Sequence, residues 1–144
     1  MKVITDDSKA VNRGAAPLFV SSKHTITKLP EINKISNNID ATWGLGVIQN
    51  KRYILGSVYV KLNHNSALKE VLEMLTKADN LMKKHKAYAV ILTGNFNARH
   101  VAWGDHQSND YGTKLFDNLD KTKFAILTSN TPTFLSKMVR ATLI

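Results

Sequence analysis

The chain contains no cysteine, which excludes a disulfide framework, a thiolate metal site and a cysteine nucleophile together. Proline is scarce, with 3 in 144 residues, and no stretch is rich in proline, glycine and serine together. A linker at which a second domain could begin is therefore not visible, and neither an internal repeat nor a low-complexity tract is present. One domain spanning 1–144 is the simplest organisation. No apolar run approaches the roughly 18 residues that a membrane span needs. The opening MKVITDDSKAVNRG has none of the apolar core of a secretory signal, and no Asn-x-Ser/Thr sequon occurs. These absences lead to the expectation of an intracellular protein, nuclear or cytoplasmic, that is neither secreted nor membrane-bound.

Apolar content is ample, at 43% hydrophobic against 22% charged residues, so a buried core is within reach and general disorder is excluded. The charge is one-sided. Twenty Lys and Arg stand against 11 Asp and Glu, for a net charge of +9. An excess of this size favours polyanionic partners, DNA or RNA, because neutralising phosphates releases counterions. Both halves of the chain carry it, so it belongs to no tail.

Residues 1–13 read as a loose polar lead-in that ends at the turn Asn12-Arg13-Gly14. Pro17 to Val20 and His24 to Thr27 suit short strands, and Pro30 to Asn38 suits a loop. Two β-prone runs, Ala41 to Ile48 and Tyr53 to Val60, flank Gln49-Asn50-Lys51-Arg52 and predict an antiparallel hairpin. The second run is apolar almost throughout, which places it near a sheet centre. Ser66 to Lys86 predicts the longest helix, with Ser66 as its cap and Leu68, Val71, Leu72, Leu75, Ala78 and Met82 on one face. The cluster Lys83 to Lys86 reads as a solvated helix end that suits the helix dipole. Tyr88 to Thr93 predicts a strand parallel to Tyr53 to Val60, since strand, helix, strand forms a crossover. Its far end would then lie beside the loop after Val60, with Asn63 and His64 near Asn95 and Asn97. Thr113 to Leu119 suits a helix, and Phe124 to Leu127, Thr133 to Leu135 and the C-terminal KMVRATLI suit extended segments.

The densest polar stretch follows the Tyr88 to Thr93 strand. Ile91 to Gly112 reads ILTGNFNARHVAWGDHQSNDYG and collects Asn95, Asn97, Arg99, His100, Asp105, His106, Asn109 and Asp110. Ligands gather at the carboxyl ends of strands in α/β folds, so this is where a site is expected. Taken residue by residue, a structural turn accounts for Gly94, Asn95 and Asn97 well, since asparagine tolerates tight backbone conformations. His100, His106, Asp105 and Asp110 have metal-ligand chemistry, but their spacing fits no dedicated metal pattern. Phe96 and Trp103 read as loop anchors, His100 as a hydrogen-bonded loop post, and Arg99 as the best placed phosphate contact.

GNFNARHVAWGDHQSNDYGTKLFD resembles the G-D-F-N-A-x-H-x-x-W-G segment, with its following N-D-x-x-G and helix, of the endonuclease domains of non-LTR retrotransposon reverse transcriptases. These are members of the DNase I-like endonuclease/exonuclease/phosphatase superfamily. Gly56 to Tyr59 is similar to the family's strand ending in V-Y, Val90 to Leu92 to the strand before G-D-F-N, and Thr131 to Phe134 to its P-T-F segment. The resemblance implies an α/β fold, a DNase I-like two-sheet sandwich flanked by helices, here incomplete at both ends. It also implies Mg²⁺-dependent phosphodiester hydrolysis of DNA. Tyr59, Asn95 and Asn97 fall on the family's catalytic positions; from the residues themselves, Arg99 and Asn63 are the candidate phosphate contacts and Gly94, His100, Trp103 and Gly104 the loop-shaping positions.

The departures bear on activity. Asn95 stands where the family motif has Asp, and an amide offers a cation no negative charge and a water no base. Arg140 can be laid against an acid of the family's I-D-L-T-L strand, and the family's first Asn, its metal-binding Glu and its terminal His have no counterparts. A degenerate copy without catalysis is the expectation, with a non-catalytic nucleic-acid binder and a nuclease whose carboxylates come from Asp105, Asp110 or a partner chain as alternatives. Unpaired sheet edges in an incomplete sandwich would favour marginal stability or self-association.

Overall fold

The computed structural model describes residues 2–4, 18–32, 38–61, 65–127 and 137–142. Its centre is a hairpin. Strands β4 (Ile39–Ile48) and β5 (Lys51–Val60) pair antiparallel over their full length, with Ile48 opposite Lys51 and Ile39 opposite Val60. Only Gln49 and Asn50 form the turn, at φ 49° and 61°, rather than the four residues expected from the sequence. Both lie in the left-handed region required by the tightest hairpin connection, whose twist matches that of the strands it joins.

Helix α1 (Asn65–His85) crosses over to β6 (Ala89–Asn95), which runs parallel to β5 as the crossover requires. The helix is described from Asn65, one residue before Ser66. At the other end Lys86 takes φ 49°, and the Ala87 N–H donates to the Met82 carbonyl at 2.9 Å, closing the helix as a glycine usually would. Asp79 and Lys83, four residues apart on α1, form an ion pair at 2.7 Å. The buried stripe of α1 runs through Ala67, Val71, Met74, Leu75, Ala78, Leu81 and Met82. Leu68 and Leu72 of the expected face are only half-buried. The stripe is rotated toward Met74 and Leu81 because α1 rests on three strands and also meets a second helix, α2 (Asp110–Leu119).

The six-stranded sheet is completed by β3 (Ile26–Lys28), β7 (Ala125–Leu127) and β8 (Lys137–Thr142), in the order β3-β4-β5-β6-β8-β7. β5 is the third strand, which fulfils the expectation of a central position. Pleating sends Ile54, Val58 and Val60 toward α1, where they join Trp43, Val90 and Leu92 in the core. Each such fully buried aliphatic side chain contributes about 1.5–3 kcal/mol. Tyr53, Leu55, Ser57 and Tyr59 point to the opposite face and are half-buried.

A separate two-stranded sheet pairs β1 (Lys2–Ile4) with β2 (Leu18–Val20), and β2 also lies against β4. The lead-in expected to be loose thus includes a strand at Lys2–Ile4. The segment Pro30 to Asn38 opens with a 3₁₀ turn, Pro30–Ile32, that buries Ile32. The expected extended segment Thr133 to Leu135 lies outside the described residues. No helix among the described residues is long and apolar enough to cross a membrane.

Candidate functional site

β5 and β6 end together. Their parallel register sets Tyr59 against Asn95, and the hairpin sets Asp40 of β4 against Tyr59. Residues opposite one another on neighbouring strands share a face. Asp40, Tyr59 and Asn95 therefore form one row across three strands at the carboxyl end of the parallel pair. The resemblance had marked Tyr59 and Asn95 as site positions but offered no role for Asp40.

Gly94 makes the row possible. Its φ is 145°, and a Cβ there would lie 1.8 Å from the Val58 carbonyl oxygen. Only glycine lets β6 approach β5 this closely at its exit. Asn95 follows at the surface. Its Oδ1 accepts the Asn97 N–H at 2.8 Å, forming an Asx turn, and Asn97 takes φ 52°. The Asn97 Nδ2 donates to the Val60 carbonyl, clipping the loop to the end of β5. Asn97 is thus partly consumed in construction.

Beyond Asn97 the loop is built by its own side chains. Phe96, Ala98 and Trp103 are buried. Asp105 Oδ2 accepts both the His100 N–H at 3.0 Å and the Trp103 indole N–H at 2.9 Å. His100 Nδ1 accepts the Ala102 N–H and so caps the 3₁₀ turn Val101–Trp103, which Gly104 closes at φ 90°. The His100 ring stacks on Phe116 of α2, with centroids 4.3 Å apart and planes within 10°. Asn109 caps α2 by accepting the Gly112 N–H at 2.6 Å, and its Oδ1 also takes the Arg99 N–H at 3.2 Å. The first turn of α2 presses on Arg99 so closely that a Cβ on Gly112 would sit 2.0 Å from the Arg99 carbonyl oxygen.

The remaining polar residues divide cleanly. Arg99 and His106 are exposed, and Asp110 is held by Lys114 at 2.7 Å. Asn63 and His64 lie outside the described residues, and Arg140 is placed by its backbone in β8 opposite Ile91. Tyr111 of α2 is buried, and burial pushes its phenol well above the ordinary tyrosine range, so it is protonated throughout the physiological range. Among the described residues no group of three His, Asp or Glu side chains could hold a metal ion. The carboxylates of the loop are committed to Trp103, His100 and Lys114.

Sequence reasoning missed two residues, Asp40 and Lys61. Asp40 is 3% exposed, and its Oδ1 lies 3.2 Å from the Lys61 ammonium. The length of the hairpin turn was the available signal. A four-residue connection would place Asp40 opposite Lys61, whereas the two-residue turn moves it opposite Tyr59 and into the row.

A family model described as "Endonuclease-reverse transcriptase" matches residues 53–143. No curated protein matches the chain. Among solved structures, the endonuclease domain of TRAS1, a telomere-specific non-LTR retrotransposon, superposes with a TM-score of 0.71 at 19% sequence identity. The alignment covers 97% of this chain and 67% of that one. The mixed sheet with its crossover helix and the loop after β6 are therefore the fold of such an endonuclease domain.

Proposed function

The chain belongs to the endonuclease-reverse transcriptase family, and we propose that it keeps the fold of a phosphodiester-cleaving domain without the cleavage. One observation carries this reading. Asn95 occupies the position of the motif Asp and spends its Oδ1 on the Asn97 N–H. A neutral amide engaged in a turn neither neutralises a cation nor takes a proton from water. The family implies Mg²⁺, which would supply Lewis-acid activation and charge neutralisation at the scissile phosphate. The described residues do not fit such an ion, since no three of their His, Asp or Glu side chains come together and Asp105 spends Oδ2 on the loop's own N–H groups.

The test is nicking of supercoiled plasmid in Mg²⁺ or Mn²⁺. No nicked circles above a buffer control are expected, and nicking would sink the reading in favour of a nuclease using Asp105 or Asp110. Losing one charge-stabilising group commonly costs about 10²–10³ in rate. Asn95→Asp keeps the turn acceptor and restores the motif acid, yet it is expected to stay inactive, because no further acids gather beside it among the described residues. Cleavage by that variant would locate the entire loss at residue 95.

A second reading is favoured by the charge of +9: the domain binds nucleic acid. Its affinity should fall steeply with salt, the logarithmic slope approaching about −0.9 per phosphate neutralised.

A further inference from the structure

We propose that Lys61, held by Asp40, is the phosphate-contacting cation of the sheet edge, so that this edge binds nucleic acid without a divalent ion. The inference rests on the nucleic-acid-binding reading and names the residue that would carry it.

Lys61 follows β5 at the point where the chain leaves the sheet, and its N–H donates to the Asn38 carbonyl at 2.8 Å. Its ammonium lies 3.2 Å from Oδ1 of Asp40. Asp40 stands opposite Tyr59, and Tyr59 opposite Asn95, so the pairing draws the amine toward the row those three residues form. The loop arrives from the other side, because Asn97 Nδ2 donates to the carbonyl of Val60, the residue before Lys61. Lys61 thus leaves the sheet at the end of the row, next to the residue to which the loop is clipped.

Burial decides which member of the pair meets a ligand. The Asp40 side chain is 4% exposed and that of Lys61 21%. The carboxylate is the more deeply buried member, where a charge must be matched, and the lysine side chain is the member that reaches the surface. An ammonium carries three donors, so a phosphate oxygen can join the carboxylate in its shell. An edge suited to a metal ion presents carboxylates. Here the outward acid position holds the neutral Asn95, and Asp40 is neutralised by Lys61. The edge therefore favours an anion directly, with Tyr59, Asn95 and Asn97 as neutral polar neighbours.

The experiment is fluorescence anisotropy of a labelled DNA duplex at low salt, in EDTA and in Mg²⁺ at matched ionic strength. Wild-type affinity should be no higher in Mg²⁺ than in EDTA, because Mg²⁺ then acts only as a competitor for the phosphates. Lys61→Gln should weaken binding about tenfold and reduce the salt slope by about one, whereas Lys61→Arg should stay within about twofold. Lys77→Gln, on exposed α1 surface, makes the same change in net charge and should also stay within about twofold. Lys61→Gln leaves Asp40 buried without its cation and so endangers the fold. The double variant Asp40→Asn/Lys61→Gln removes both charges, and its circular dichroism melt verifies folding before its binding is read. It should bind as weakly as Lys61→Gln. Binding by the double variant equal to that of Lys77→Gln, or wild-type binding that requires Mg²⁺, overturns the proposal alone. A wild-type protein that does not bind at low salt overturns the nucleic-acid-binding reading as well.

Discussion

The loop from Phe96 to Gly112 and the edge formed by Tyr59, Lys61 and Asn95 lie side by side and are built on opposite terms. In the loop, polar side chains turn back on the chain. Asp105 gathers two N–H groups, Asn109 joins Arg99 to the first turn of α2, and His100 lies flat on Phe116. At the edge, Asn95 is exposed and makes one short-range turn contact, while Lys61 pairs with a buried acid and is the more exposed of the two. Density of polar residues therefore marks construction in this molecule, and the sparser edge is where a ligand could be met.

The contrast predicts a gradient of stability effects. Gly112→Ala should be the most damaging, because the new methyl would overlap backbone that has no rotamer with which to yield. A loss of about 3 kcal/mol or more is expected, read as a thermal midpoint lowered by roughly 10 °C. A midpoint within two degrees of the parent would show that the loop is looser than described. Asp105→Ala should come next, at about 2–3 kcal/mol, since it strands the His100 N–H and the Trp103 indole together. Red-shifted tryptophan fluorescence should accompany it as Trp103 gains water, and an unshifted spectrum would count against the anchoring role. Asn95→Ala should cost the least, under about 1 kcal/mol, because it removes one exposed turn bond. A cost equal to that of Asp105→Ala would erase the distinction between loop and edge.

Much of the fold was legible because its signals are local or periodic. The three- and four-residue spacing of α1, the apolar run of β5 and the crossover rule together require the parallel β5–β6 pair that is observed. The phase of the α1 stripe was misjudged at Leu68 and Leu72, since periodicity locates an apolar face but not the neighbours that cover it. The hairpin was foreseen and its turn was not. Lys51 and Arg52 looked like turn residues by polarity, yet left-handed Gln49 and Asn50 suffice and the two basic residues continue the strand. That difference hid Asp40, whose place in the row depends on register. The strand Lys2–Ile4 was missed because three residues give no periodicity, and their partner begins at Leu18.

The sequence by itself determined the apolar strands, the long helix, the family signature after β6 and the substitution at residue 95. These are properties of residue identity and short spacing, which a linear reading retains. Only the tertiary structure decided that the polar loop spends its side chains on itself, and that Asp40 and Lys61 join Tyr59 and Asn95 at one edge. Those facts depend on strand register and on burial. Both arise from pairing between distant segments, which residue order alone does not record.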